Sequence, residues 1–322
     1  MTYKLECQNS LTGTVYDVVT LAGTISHQTT LDGQPGKLTV SLQQDPNGIL
    51  ELVCGSILRF SVDDVGIFYG YIFTMGTDAT GVYKITAYDQ MRYLKNKETY
   101  ITSNETASAV FGRVCKDNFQ ASQYKVITPS TFIAPEYNHA GKTLYETINY
   151  GIQYANVNEK KQYFIKDKFG VLQFTELGQE KTNLIIGDES LLTSYQYEIS
   201  IDKNTYNSVK VYRDNEKTGK REVWIEFDST TQKQWGKLQT VVQAKEEQNE
   251  AQIRELANNY MKLYNRETKT MKLTALGRPE LVAGSGFAFQ LEKLGINQAM
   301  WITSATHTYE KDFHSMQLEV FI

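Results

Sequence analysis

Residues 55–62 read Gly-Ser-Ile-Leu-Arg-Phe-Ser-Val, and a related stretch, Gly-Ser-Gly-Phe-Ala-Phe-Gln-Leu, returns at residues 284–291. In each stretch Gly-Ser precedes a run whose large apolar residues fall two apart, which is the spacing of a β-strand with one buried face. A glycine at the start of a strand permits a bend or a close backbone approach. We therefore predict structural roles for Gly55 and Gly284.

Each stretch begins a predicted meander of three strands. The next strands are predicted over residues 68–74 and 82–88 in the first copy, and over residues 300–309 and 314–322 in the second. This pattern favours an internal duplication, although two unrelated β-meanders would share the same alternation. A duplication would place two similar β-modules at the two ends of the chain, with different material between them.

The composition favours a β-rich globular protein. The chain has 322 residues, 41% of them hydrophobic and 22% charged, which is enough for two or three domains with real cores. The chain has 21 Tyr and 14 Phe but only 5 Pro. Because aromatic residues are common in β-strands and Pro is rare there, these counts indicate strands. The net charge of −4, without a block of Lys or Arg, disfavours dedicated nucleic-acid binding. The sequence shows no signal peptide and no membrane-spanning apolar run, so we expect the protein in a cytoplasm until it is assembled.

The periodicity changes along the chain. Residues 1–88 predict six or seven short strands separated by turns, which is typical of a barrel or a sandwich. Residues 96–185 instead predict helices near 102–115 and 142–155 and a hairpin over 162–175. The predicted fold is therefore mainly β, with two β-modules that flank a small α+β insert.

Polar residues that could cap a helix occur at two predicted helix starts. Thr102 and Glu105 have the spacing of a capping box. Asp89 is predicted to cap a short helix that begins directly after it. Arg92 and Tyr93 in that helix have two interpretations, because an Arg and a Tyr together often mark an interface. In the other interpretation Arg92 pairs with Asp89, and Tyr93 packs on the first module.

The charged segment 245–267 predicts one amphipathic helix of about twenty residues, since its apolar residues follow a helical period. Leu256, Tyr260 and Tyr264 lie on its apolar stripe. These three residues are candidates for an oligomer interface. The alternative is that the stripe covers an open edge of the helix's own β-module.

No pattern for catalysis or for metal or cofactor binding stands out. Cys7, Cys54 and Cys115 are far apart and lack the spacing of a zinc site or a disulfide framework. His307 and His314 fall on neighbouring predicted strands, but a third ligand is missing and we expect both to face solvent. Nucleophile motifs and phosphate-binding glycine loops are also missing. A pair of catalytic carboxylates would not be recognisable among 37 acidic residues, so the sequence gives no positive reason to predict an enzyme.

Three segments carry a resemblance to a known family. They are residues 85–97 with the helix up to 115, residues 206–211, and residues 257–309, and together they span nearly the whole chain in order. The sequence resembles the baseplate hub proteins of contractile phage tails, within the late-control-D-like superfamily. It is most similar to the XkdQ-like hubs of PBSX-type prophages and related tail-like bacteriocins.

The resemblance implies a homotrimer whose subunits each carry two tube-like β-barrel modules, residues 1–95 and 186–322, around the insert 96–185. Three copies of a duplicated module would form a pseudo-sixfold ring between the sixfold tail tube and the threefold central spike. The implied partners are the tail tube protein, the spike protein and other baseplate proteins of the wedge or LysM type. The segment 214–267 has no counterpart in the first module, which is a departure from strict duplication.

The resemblance also implies a structural protein of a virion or tail-like particle, without active-site residues, metal ligands or cofactors. Two other functions stay open. One is a peptidoglycan-active hydrolase of the same particle, with its acids in the middle domain, which would lyse cell walls. The other is a host-binding component, which would bind intact cells.

Overall fold

A computed structural model describes residues 1–45, 48–77, 79–202, 205–215, 219–244, 248–311 and 313–321. The chain forms two compact units, one made of Met1–Gln196 and Lys272–Phe321 and the other of Tyr197–Met271. The prediction of a mainly β fold with a small helical part is confirmed, since 49% of the residues lie in strands and 21% in helices. The predicted domain boundaries near residues 95 and 185 both fall inside the first unit and stay a prediction.

The first unit begins with strands that enclose one apolar core. They are β1 (Tyr3–Gln8), β2 (Val15–Asp17), β3 (Ala22–Thr30), which follows the 3-10 helix Val19–Leu21, β4 (Lys37–Leu42), β5 (Ile57–Val62), β6 (Val65–Thr77) and β7 (Tyr83–Tyr88). Hydrogen bonds join them in the order β3-β4-β7-β6-β5-β1-β2. Because side chains alternate between the two faces of a strand, every second residue of β4 and β5 is buried. Leu38, Phe60 and Ile85 lie in the resulting core.

A small α+β part follows within the same unit. Its elements are the 3-10 helix Gln90–Lys95, β8 (Lys97–Glu98), β9 (Ile101–Thr102), α1 (Ala107–Asn118), the 3-10 helix Ala121–Gln123, β10 (Tyr124–Val126), β11 (Tyr137–Asn138), β12 (Lys142–Thr143), α2 (Leu144–Glu159), β13 (Tyr163–Lys168) and β14 (Val171–Glu176). Helix α1 packs on α2, and the sheet β10-β14-β13 completes the layer. Phe111, Ile148 and Phe174 meet in its core.

The start of α1 differs from the prediction. Thr106 caps the helix, because its hydroxyl oxygen accepts a hydrogen bond from Ala109 N at 3.2 Å. The predicted capping box of Thr102 and Glu105 is wrong. Thr102 is held in β9, which pairs with β11, and the Glu105 carboxylate pairs with Arg113 at 2.6 Å.

The chain continues through β15 (Glu180–Gly187) and β16 (Leu192–Ser200) and enters the second unit within β16. The second unit contains β17 (Ser208–Asn215), β18 (Lys220–Phe227), α3 (Ser229–Trp235), β19 (Gln239–Gln243) and α4 (Glu250–Tyr264). Its strands follow the order β18-β17-β19, and α4 packs on β17 and β18. Val209, Val211 and Ile253 form the core of this unit.

Helix α4 confirms the predicted amphipathic pattern, with a shorter length. It has 15 residues, whereas the predicted helix covered residues 245–267. Asn249 and Gln252 form a capping box, which fixes the start of the helix at Glu250. Residues 245–247 of the prediction lie outside the described residues.

The last strands belong mainly to the first unit. They are β20 (Thr268–Leu276), β21 (Ser285–Leu291), β22 (Ile296–Glu310), which follows the 3-10 helix Glu292–Leu294, and β23 (Phe313–Phe321). Their order is β16-β20-β23-β22, and β21 pairs with both β22 and β15. Because β22 also pairs with β3, the two strand groups form one sheet of 13 strands.

Candidate assembly interface

Gly55 and Gly284 occupy equivalent positions before β5 and at the start of β21. Their φ angles are +87° and +90°, in the region that a side chain disfavours. The Gly55 amide donates to Ile72 O at 2.7 Å, and the Gly284 amide donates to Ile302 O at 2.9 Å. The two glycines that the sequence repeat singled out therefore share one backbone conformation and one type of hydrogen bond.

Strands β6 and β22 also bend at equivalent points. The register between β6 and β7 shifts between Ile72 and Thr74, and the register between β22 and β23 shifts between Ile302 and Ser304. Such a bulge adds one residue to a strand and bends it locally. In both meanders the bulge begins at the residue that accepts the glycine hydrogen bond, so Thr74 corresponds to Ser304.

Strands β3 and β16 correspond in the same way. Each strand has nine residues. Leu21, just before β3, accepts a hydrogen bond at 2.8 Å from the amide of Gln43, just after β4. In the same way Leu191, just before β16, accepts one at 2.9 Å from the amide of Leu276, the last residue of β20. This alignment places Thr30 at the end of β3 on Ser200 at the end of β16.

The two modules therefore share five strands, and their correspondence ends at the sixth. β3, β4, β7, β6 and β5 match β16, β20, β23, β22 and β21 in sheet order. Next to these, β1 runs antiparallel to β5, whereas β15 runs parallel to β21. The second unit begins within β16 and ends within β20, whereas the first module has only the short connection 31–36 between β3 and β4.

Strand β22 joins the two modules. Its residues 296–301 pair with β21, and its residues 304–309 pair antiparallel with residues 25–30 of β3. Tyr309 near the end of β22 is 1% exposed and belongs to the core of the first module, where its ring centroid lies 4.9 Å from that of Phe60. The modules therefore meet through a main-chain ladder and a shared aromatic contact.

Three histidines are buried at this junction. His27 of β3 is paired in register with His307 of β22, and His307 Nδ1 lies 3.0 Å from His314 Nε2. Burial lowers the pKa of His27 to about 3, of His307 to about 4 and of His314 to about 3, so the imidazoles are neutral at neutral pH. The prediction that His307 and His314 face solvent is wrong, because they are 0% and 7% exposed. Within the described ranges no group of three or more His, Cys, Asp or Glu could hold a metal ion.

The described part of the chain leaves several edges of the large sheet without a strand partner, among them the outer edges of β2 and β15. Two others have counterparts at the junction. One belongs to residues 74–76 of β6, beyond Tyr71, where the pairing with β5 begins. The other is the outer edge of β16, the terminal strand of the sheet order. The β6 edge corresponds to the edge of β22, and the β16 edge corresponds to the edge of β3. At the junction the β22 and β3 edges pair with each other. Unpaired edges present N–H and C=O groups to any strand that can reach them.

Asp89 and Asp167 hold the insert against the first module. Asp89 accepts hydrogen bonds from Gly36 N at 2.8 Å and Met91 N at 3.0 Å, which places it at the N-cap of the 3-10 helix that follows. Asp167 of β13 accepts a hydrogen bond from Gly170 N at 2.8 Å, and its carboxyl lies near Gln90 N of the same 3-10 helix. Burial raises the pKa of both carboxyls, that of Asp167 to about 7. Neighbouring buried carboxylates of this kind retain a proton, since two charges at one place are costly.

Arg92 and Tyr93 pack beside the second half of β6. The Arg92 guanidinium lies 5.1 Å from the centroid of the Phe73 ring, and the Tyr93 ring lies 5.5 Å from that of Tyr71. The expected pairing of Arg92 with Asp89 is not formed, because backbone amides occupy the Asp89 carboxylate. The role of these residues in assembly stays a prediction.

Leu256, Tyr260 and Tyr264 of α4 are half-buried within the second unit. Leu256 and Tyr260 pack against the core under α4, and the Tyr264 ring lies 5.8 Å from that of Tyr206. Their side chains therefore already have partners in the chain itself. Their proposed part in an oligomer interface stays a prediction.

The junction residues themselves were missed by the sequence analysis. The length of β22 is not a signal of the junction, because its 15 residues compare with 13 in its counterpart β6. Which strand lies beside its second half depends on His27 and its neighbours, which are distant in the sequence. In the described part of the chain no helix has the length and apolar character needed to cross a membrane.

Comparison with known proteins gives relatives along nearly the whole chain. A model of the YqbQ-like family matches residues 25–321. The chain is 24% identical over 307 residues to the uncharacterized protein YqbQ of Bacillus subtilis strain 168, with 92% of each chain covered. It is 23% identical over 268 residues to the phage-like element PBSX protein XkdQ of the same organism, with 83% of this chain and 81% of XkdQ covered.

A solved structure shares the fold. The 43 kDa tail protein of prophage MuSo2 from Shewanella oneidensis covers 98% of both chains with a TM-score of 0.70 and 13% identity. The resemblance to XkdQ that rested on three sequence segments is confirmed by the match over most of both chains. Because the family model covers far more than half of the sequence, the chain belongs to the YqbQ-like family.

Proposed function

We propose that this protein is the structural hub of a baseplate in a contractile phage tail or a tail-like particle. Three copies would form a ring of six modules that joins the tail tube to the central spike. The relatives support a role in such a particle, since one is a PBSX protein and one of similar fold is a prophage tail protein. Other baseplate proteins would bind around the ring.

The observation that carries the proposal is the duplicated module with its internal junction. Within one chain, β22 of the second module pairs with β3 of the first. The corresponding edges, on β6 and on β16, are without a strand partner in the described residues. A contact between unlike surfaces that repeats around an axis generates a closed ring when the rotation closes. With two modules per chain, three chains would supply the six positions that match a sixfold tube.

One observation bears on the alternative of a cell-wall hydrolase. Asp89 and Asp167 line a cavity of about 720 Å³, and a raised pKa on one of two acids is typical of glycoside hydrolysis. Here, however, both carboxylates bind backbone amides, and Asp167 Oδ2 is buried without a hydrogen-bond partner. Because backbone amides occupy these carboxylates, we assign both residues to structure.

The mass of the purified protein in solution tests the ring. Light scattering on the chain alone, and after addition of the spike protein, is expected to give the mass of three chains in at least one condition. A monomer in both conditions would overturn the ring. Lysis of purified cell walls by the same preparation would replace the structural role by the hydrolase, and an Asp167→Asn variant would show whether the buried acids are responsible.

A further inference from the structure

We infer that residues 74–76 of β6 in one copy pair antiparallel with residues 198–200 of β16 in the next copy, in the register that β22 makes with β3 inside each chain. This inference rests on the proposed ring and specifies the contact that would close it. The partner is therefore a second copy of this chain, bound through main-chain hydrogen bonds.

The internal junction supplies the template for the register. Ser304 pairs with Thr30, Ala305 with Thr29, and Thr306 with Gln28. The bulges align Thr74 on Ser304, and the equal lengths and flanking hydrogen bonds of β3 and β16 align Ser200 on Thr30. The pairs expected between copies are therefore Thr74 with Ser200, Met75 with Ile199, and Gly76 with Glu198.

The side chains at these positions fit the contact. Ile199 is an apolar residue with 51% of its surface exposed, and it lies between two polar residues, Glu198 and Ser200. Its expected neighbour, Met75, is half-buried against the core of the first module. Pairing would therefore cover an exposed apolar side chain with another apolar side chain, as cross-strand neighbours do. A Cβ placed on Gly76 would meet no atom of the described residues within 4 Å, which leaves room for the Glu198 side chain.

The contact would also remove the exposed edges. Long unpaired edges attract unintended strands and promote aggregation, so soluble proteins cover or interrupt them. In the ring each β6 edge would be covered by a β16 edge. Junctions inside chains would then alternate with junctions between chains around the six modules.

Engineered disulfides test the register directly. In a Cys54→Ser background, which removes the exposed native thiol, Met75→Cys and Ile199→Cys are introduced together. Directly opposite strand residues lie about 4.5–5.5 Å apart between Cα atoms, which suits a disulfide. Mild oxidation is expected to give covalent dimers and trimers on a non-reducing gel. A mixture of the two single variants is expected to give dimers only, which identifies the bond as one between copies.

The control pair is Met75→Cys with Tyr195→Cys. Tyr195 lies on the same face of β16 as Ile199, about 13 Å further along the strand at 3.3 Å per residue. This pair is expected to give at least tenfold less cross-linked product. Equal cross-linking of both pairs, or a three-chain mass without cross-linking of the first pair, would overturn the inference and leave the ring in place. A monomer under all conditions would overturn both.

A second variant gives an independent measurement. Ile199→Lys places a charge in the expected contact and should weaken association by about tenfold or more. Ile225→Lys is the matched control, because Ile225 is a similarly exposed isoleucine, 53% exposed, on β18 of the second unit. The inference predicts a smaller mass by light scattering for Ile199→Lys alone. An unchanged mass for Ile199→Lys would contradict it.

Discussion

Gly55 and Gly284 share a backbone conformation and differ in their surroundings. A Cβ on Gly55 would have only Ser10 Oγ nearby, at 3.7 Å, whereas a Cβ on Gly284 would come within 2.5 Å of the Phe164 ring. The first glycine is therefore required by its φ angle alone, and the second by its φ angle and by packing.

This difference predicts two sizes of effect. Gly55→Ala should lower the free energy of unfolding by about 1–3 kcal/mol, the usual cost of a left-handed conformation in a residue with a side chain. Gly284→Ala should cost more, since the Phe164 ring must also move. Urea denaturation of the two variants measures both values. Gly112→Ala is the control, because that position has open space and no positive φ. Equal losses at Gly55 and Gly284 would contradict this account.

Among the elements, the hairpin of β13 and β14 has an attachment that depends on a proton. Asp167 contacts the N-terminus of the 3-10 helix that Asp89 caps, and its pKa is raised from 3.8 to about 7. Between about pH 4 and pH 7 the native state therefore holds a proton that the unfolded chain has lost. The contribution of Asp167 to stability must fall as the pH rises through this range.

The variant Asp167→Asn should remove this dependence, because the amide oxygen still accepts the hydrogen bond from Gly170 N, 2.8 Å long in the wild type. Relative to the wild type, the variant should gain stability as the pH rises from 5 to 8. Urea unfolding across this range measures the difference. Asp64→Asn, on an exposed turn, controls for the general loss of one carboxylate. A constant difference between wild type and Asp167→Asn at every pH would show that the carboxyl is not protonated in the native state.

Local signals in the sequence predicted the elements well where a periodic face existed. The apolar stripe through Ile253 and Ala257 predicted helix α4. The Gly-Ser repeats predicted both three-stranded meanders. The start of α1 was predicted wrongly because Thr102 is held by β11, a contact that no local pattern shows. The burial of His307 was missed for the same reason, since period-two alternation assigns a side chain to a face and does not show whether another strand group covers it.

At the scale of the whole molecule, the two modules are joined around uncharged histidines. Because His27, His307 and His314 have pKa values of about 3 to 4 in the native state and near 6.5 when unfolded, the unfolded chain binds more protons below about pH 6.5. The stability of the joined modules must therefore fall as the pH is lowered from about 6.5 towards 4. Each histidine contributes a slope of at most about 1.4 kcal/mol per pH unit.

His314→Gln should reduce this slope by about one third, since one of three such histidines is removed. The free energy of unfolding at pH 6.5, 5.75 and 5 is to be compared between wild type and variant, so that carboxyl groups contribute equally to both. A smaller loss of stability in the variant on acidification is the expected result. Parallel pH profiles would show that the imidazoles become protonated without disturbing the junction.

The length of β22 has a mechanical consequence. At about 3.3 Å per residue its 15 residues extend roughly 50 Å, and its second half is bonded to β23 of its own module on one side and to β3 of the first module on the other. A force that draws the modules apart along this strand loads the hydrogen bonds of the ladder in shear, so they resist together instead of opening one after another. Load would therefore pass through the main chain from one module to the next.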